Sequence, residues 1–190
     1  MHRNKLLNQL LDYHSVMPHE WQKIDQIIEF VKNNPQCFER ELESGHITGS
    51  AWLINDTGDK VLLGLHKKLG IWLQLGGHAD GDSDILQVAL REAKEESGIH
   101  AIEPLSKDIF DVDVHLIPAR PFEPEHYHYD IRYLFKMTQD VDYEINDEMH
   151  ELRWFTPEEA LKLPKIDQSI VRMIKKFTQW GQTPIASKVS

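Results

Sequence analysis

The sequence predicts an α/β fold with a helical N-terminal extension, and three observations carry that prediction. Apolar residues in the first part of the chain recur at helical spacing. From His46 onward they gather instead into short β-rich runs separated by turns. One of these runs, Trp72-Leu73-Gln74-Leu75, passes through Gly76-Gly77 into a long acidic helix.

Leu6, Leu7, Leu10 and Leu11, then Trp21, Ile24, Ile27, Ile28 and Val31, mark two helices that end at Asn33-Asn34-Pro35. They form a helical hairpin within an extension over 1–44, expected to cover one side of the main domain or to supply a homodimer contact. Ile47 to Ile54 and Val61 to His66 flank the turn Asn55-Asp56-Thr57-Gly58-Asp59-Lys60 and read as a β-hairpin. The acidic helix is expected over Asp84 to Ser97. Further strands fall within Ile109 to Ile117 and His126 to Met137, and a closing helix runs from Asp167 to Trp180, leaving 181–190 as a tail. No repeat or low-complexity segment interrupts this order.

The chain has 190 residues, enough for one domain with a proper core. Its net charge of -10 argues against a nucleic-acid duplex as partner, because phosphate backbones repel an acidic surface. Small phosphorylated substrates stay open, since a bound metal reverses the local sign. One cysteine, Cys37, excludes an internal disulfide framework. The first apolar run is broken too early for a secretory signal, and none approaches the roughly 20 residues of a membrane span. A soluble cytoplasmic protein without membrane partners is expected.

On the acidic helix, Glu92, Glu95 and Glu96 fall within one arc of roughly 100°, beside the apolar stripe Leu86, Ala89, Leu90 and Ala93. Gly98 ends the helix just after them, so the carboxylates crowd its negative dipole end. Arg91 reaches Glu95 at i,i+4 and offsets part of the repulsion; a cation offsets the rest. With the Gly-rich turn before it, the segment reads as a phosphate-and-metal site.

Gly77, Arg91, Glu92, Glu95, Glu96, Gly98 and Ile99 match the spacing Gly-x5-Glu-x7-Arg-Glu-U-x-Glu-Glu-x-Gly-U, with Ala93 at the first bulky-apolar position U. The segment thereby resembles the signature box of Nudix hydrolases. It departs once: Ser83, between Asp82 and Asp84, replaces the early glutamate, and we expect it to cap the helix instead. The resemblance implies a Nudix α/β/α sandwich with a mixed sheet over 45–180. Glu151 to Ala160 is similar to the family's late strand-to-helix passage, and Glu148 lies where relatives carry an extra metal ligand or base, with Asp147 and Glu151 as rivals. The implied activity is metal-dependent hydrolysis of a diphosphate linkage in a nucleotide-derived substrate, with Mg²⁺ or alternatively Mn²⁺. Glu92, Glu95, Glu96 and the carbonyl of Gly76 or Gly77 would hold the metal, Arg91 would orient the glutamates, and a carboxylate not consumed by metal, Glu95 or Glu148, would accept the proton from water.

Binding residues are expected on the strictly alternating run His126-Tyr127-His128-Tyr129-Asp130-Ile131-Arg132-Tyr133. His126, His128, Asp130 and Arg132 share one face, read as exposed and in contact with substrate phosphates or a further metal. Lys68, Trp72 and His66 form a second pocket wall. Two alternatives remain: a nucleotide-binding regulatory module, suggested by Ser83, and an isomerase of the isopentenyl diphosphate type, against which the upstream position of Cys37 argues.

Overall fold

The computed structural model describes residues 2–121, 124–144, 149–164 and 166–182, with 181 and 182 described by backbone alone. Helix α1 (Asn4–Val16), a short 3₁₀ turn and α2 (Trp21–Asn33) precede β1 (Gly45–Ile54), β2 (Val61–His66), β3 (Trp72–Leu73) and β4 (Leu75–His78). Then come α3 (Ile85–Ser97), β5 (Ile102–Pro104), β6 (Asp111–Ile117), β7 (His126–Met137), β8 (Met149–Phe155), α4 (Pro157–Ala160) and α5 (Gln168–Gln182).

The expected elements form within a residue or two, apart from small pieces. The run at Trp72 divides into β3, paired with β2, and β4, paired with β1. Strand β5 spans three residues, too few to show a period. The expected Ser83 cap does not form: α3 begins after Asp84, whose own N–H donates to the Asp82 carboxylate at 2.8 Å, and no side chain caps the helix.

The sheet is mixed. β1 runs parallel to β7 on one side and antiparallel to β4 on the other; β7 also carries β6 and, at its far end, β5. An antiparallel arm, β3-β2-β8, joins β1 through Ile54 and Val61. Odd-numbered residues of β1 and β7, including Ile47, Ala51, Tyr129, Ile131 and Tyr133, pack with α1, α2 and α3 in one core. On the opposite face Trp52 and Leu134 pack with Ile170, Met173, Ile174 and Phe177 of α5. Both faces of the sheet are therefore covered by helices, as a sandwich requires.

The N-terminal hairpin is part of the first core: Leu6, Leu10, Ile24, Ile27 and Val31 are buried in it, and Phe30 stacks on Tyr129 with ring centroids 3.8 Å apart. Polar ties hold it in place. Arg3 donates to the carbonyls of Val31 and Lys32 at the end of α2, and Lys5 pairs with Asp84 at 2.6 Å. Cys37 is fully buried beside this hairpin, and burial pushes its thiol up to about 11. It is an inert core residue, which removes the cysteine chemistry that the isomerase alternative needs. Among the described residues no helix is long and apolar enough to cross a membrane.

Candidate active site

Strand β4 is the hinge of the site. It pairs Thr48 with His78, Gly49 with Gly77 and Ser50 with Gly76, so His78 and Gly76 share the even-numbered face of β1 while Gly77 turns to α3. A Cβ on Gly77 would stand 2.5 Å from the Glu92 carboxyl carbon, so glycine here leaves the Glu92 carboxylate its place against the strand. The Gly76 N–H donates to Glu96 at 2.8 Å. Arg91 lies between Glu92, at 2.7 Å, and Glu95, at 3.4 Å, and donates to the His78 carbonyl at 3.1 Å. Glu96 is buried while Glu95 is open to solvent.

The loop from β4 into α3 is held by the segment after α2. Asp80 takes a left-handed conformation, φ 50°, unusual for a residue with a Cβ. Both of its oxygens accept from Arg40, a two-pronged pair that keeps the Asp80 carboxyl below its usual value, and the Gly81 N–H bonds the Phe38 carbonyl at 3.0 Å.

A cavity of about 750 Å³ opens here. Glu92, Glu95 and Glu96 line it with the backbone of Gly76 and Gly77, and Arg40, Lys67, Lys68, Arg91 and Arg120 add positive charge. These hard oxygen donors suit Mg²⁺ or Mn²⁺. His66 and Lys68 also line the cavity, as the second wall expected of them. Trp72 does not. Its pairing with Leu65 turns the indole into the second core, edge-on to Phe155 at 4.9 Å, and leaves Leu73 and Gln74 facing the cavity. Glu148 and Asp147 lie outside the described residues; Glu151 is exposed on β8.

The alternating face of β7 is not an exposed face. It divides into two halves, and His128 alone among His126, His128 and Arg132 lines the cavity. Arg132 is 2% exposed and bonds Asp130 at 2.7 Å and Asp111 at 3.1 Å, with Asp113 at 3.5 Å. From α5, Arg172 and Lys176 reach the same Asp111. Burial disfavours charge on Asp111, Asp113 and Asp130, yet these cations outweigh it and hold all three below the usual carboxylate range. Arg132 is thus a buried ion-pair centre and not a substrate contact. Asp130 also accepts from Thr48, Ser50 and Gln74, at 2.9, 2.8 and 3.2 Å, which fixes the cavity floor.

The other half is histidine. His46 on β1 stands beside its register partner His128 on β7, their rings 4.8 Å apart, and His78 on β4 is 4.9 Å from His46. His126 and His115 complete the group around His128, at 5.1 and 5.4 Å. Burial and neighbouring rings push His46 down to about 4 and His128 to about 2, so both are neutral at pH 7. His46 is 2% exposed, and neither ring nitrogen has a hydrogen-bond partner among the described residues. An unsatisfied buried polar group costs about 1–3 kcal/mol. His46, Thr48 and Ser50 escaped the sequence reading, although polar residues at every second position of an otherwise apolar strand, mirrored by His126, His128 and Asp130, are a readable signal.

The Nudix domain model matches residues 46–177. The chain belongs to the Nudix family. Its fold recurs in solved structures of that family. A Nudix hydrolase from Clostridium perfringens is 27% identical, with a TM-score of 0.56 over 71% of this chain and 97% of that one. An Ap4A hydrolase of C. elegans, solved as a binary complex, is 20% identical, with a TM-score of 0.57 over 70% of this chain and 96% of that one. The Nudix domain of Shewanella oneidensis NrtR, complexed with ADP ribose, is 20% identical, with a TM-score of 0.52 over 81% and 97%. No curated protein sequence matches the chain. At family level this Nudix protein is a pyrophosphohydrolase.

Proposed function

We propose that this Nudix protein hydrolyses a diphosphate linkage in a small nucleotide-derived substrate with Mg²⁺ or Mn²⁺. The observation that supports this is the convergence of Glu92, Glu95, Glu96 and the Gly76-Gly77 backbone on one wall of a cavity whose other walls carry Lys67, Lys68 and Arg120. A bound cation neutralises the phosphate oxygens that otherwise repel water and lowers the pKa of the attacking water. Glu92, Glu95 and Glu96 would hold it, with the Gly77 carbonyl as a further oxygen ligand. Arg91 positions Glu92 and Glu95 through the two ion pairs it makes. Glu95, the most open of the three, accepts the proton from water; Glu148 is the second candidate for that role. Lys68 and its neighbours bind the phosphates, His128 borders the same space, and the attached group extends toward Leu69, Leu73 and Met149.

An Ap4A hydrolase and a domain complexed with ADP ribose among the structural neighbours support the nucleotide-derived class. The test is a panel of dinucleoside polyphosphates, nucleotide sugars, ADP-ribose and nucleoside triphosphates with Mg²⁺ or Mn²⁺, scored by product mass. Cleavage between phosphorus atoms that excess EDTA abolishes is the expected result. Tight binding of a nucleotide with no turnover of any compound overturns it in favour of a regulatory module.

A further inference from the structure

We propose that His46, His78 and His128 form a second metal site, selective for Zn²⁺ or a neighbouring first-row transition ion and separate from the glutamates. One ligand nitrogen from each ring lies within 4.8 Å of the others. Three imidazoles around a tetrahedral Zn²⁺, with bonds of about 2.0–2.1 Å, need nitrogens about 3.4 Å apart. Binding would draw the three nitrogens together across that gap. Imidazole is a borderline ligand that suits Zn²⁺, Co²⁺, Ni²⁺ or Fe²⁺, whereas Mg²⁺ selects oxygen.

The placement follows from strand register. His46 and His128 are direct partners on the parallel β1–β7 pair, and His78 joins the same face opposite Thr48. Each ligand comes from a different strand, so the trio is held by the sheet itself. The glutamates approach β4 from the α3 side, where Gly77 meets Glu92, while the imidazoles occupy the opposite face. The carboxylates and the imidazoles thus reach one cavity from different sides of the same edge strand.

Two further observations point to a ligand. His46 is buried with both ring nitrogens unpartnered among the described residues, beside the other two rings. The hydrogen-bond chain behind His128 also sets its tautomer. The Pro124 carbonyl can only accept, so Nδ1 of His126, 2.9 Å away, carries the hydrogen. With the ring proton on Nδ1, the other nitrogen of that tautomer, Nε2 of His126, accepts from Nε2 of His128 at 3.2 Å. Nδ1 of His128 is then left with its lone pair. A non-ligating group that orients a ligating histidine in this way is a regular feature of metal sites. His78 and His128 both border the cavity, so the fourth position faces it and takes water or a phosphate oxygen.

The test is metal binding, not turnover. The full chain is stripped with EDTA, dialysed and titrated with Co²⁺ and Zn²⁺. One equivalent of Co²⁺ should give the intense visible absorption of a four-coordinate nitrogen site, displaced by Zn²⁺ but not by Mg²⁺. The triple variant Glu92→Gln, Glu95→Gln, Glu96→Gln should keep that spectrum and bind Zn²⁺ within threefold of wild type, whether or not it hydrolyses anything. His46→Ala and the conservative His46→Gln, each shown to be folded by circular dichroism, should weaken Zn²⁺ at least tenfold and lose the band. A wild-type spectrum with only the weak bands of six-coordinate oxygen ligation overturns the proposal without any variant. So does Zn²⁺ binding that survives in the histidine variants and disappears in the glutamate variant.

Discussion

Two clusters of carboxylates in this protein differ in how their charge is met. Asp111, Asp113 and Asp130 lie beneath α5 among Arg132, Arg172 and Lys176, with Lys23 reaching Asp113 from α2 and Glu20 pairing with Lys176, so four cations meet four anions. Glu92, Glu95 and Glu96 share Arg91 and the Gly76 N–H at the wall of a cavity. The first cluster is complete within the chain and acts on stability. The second gathers three carboxylates at the wall of an open cavity, the hard oxygen donors that a divalent cation takes.

Breaking the balanced cluster should have the largest effect. Arg132→Met leaves three buried carboxylates with too little compensation and should destabilise the fold by about 3–5 kcal/mol in urea unfolding. A loss below about 1 kcal/mol would show that the network is dispensable. The cluster at the cavity should respond the other way round. Glu95→Gln and Glu96→Gln should each lower turnover roughly a hundredfold or more while the unfolding midpoint stays near wild type, because each removes a charge from a crowded set. Near-normal turnover with a collapse in stability would erase the distinction between the clusters.

Acid sharpens the same contrast. The buried aspartates are held below the usual range, so the unfolded chain binds protons more readily than the folded one. Their contribution to stability is present above the unfolded value, about 3.9, and is lost as the pH falls from there through the lower folded values. Thermal unfolding should drop steeply below about pH 4, and Asp113→Asn should flatten that drop. The smallest effect belongs to Ser83. Since it does not cap α3, Ser83→Ala should move stability by no more than about 0.5 kcal/mol and leave the rate unchanged. A larger loss in either would restore a role to this position.

The sequence was most legible where interactions are local. The spacing of Arg91, Glu92, Glu95, Glu96 and Gly98 on one helix foretold which side chains gather at the cavity wall, and periodicity located the two N-terminal helices and the long strands. It failed where a partner lies far along the chain. The alternation from His126 to Arg132 shows that these residues share a face, but nothing nearby shows that α5 closes over one end of it and histidines from β1 and β4 over the other. Trp72 was misplaced for a similar reason: its direction is set by pairing with Leu65, and a two-residue strand carries no period of its own.

The parallel pairing of β1 with β7 also bears on how the molecule comes to be active. The paired residues lie about eighty positions apart, and joining them closes a long loop whose entropy opposes early formation. The acidic helix can form by itself, but the floor that Thr48 and Ser50 build with Asp130 cannot exist until the two strands meet. A chain emerging from the ribosome therefore carries its glutamates well before it carries a pocket, and competence arrives in one step, when β7 docks.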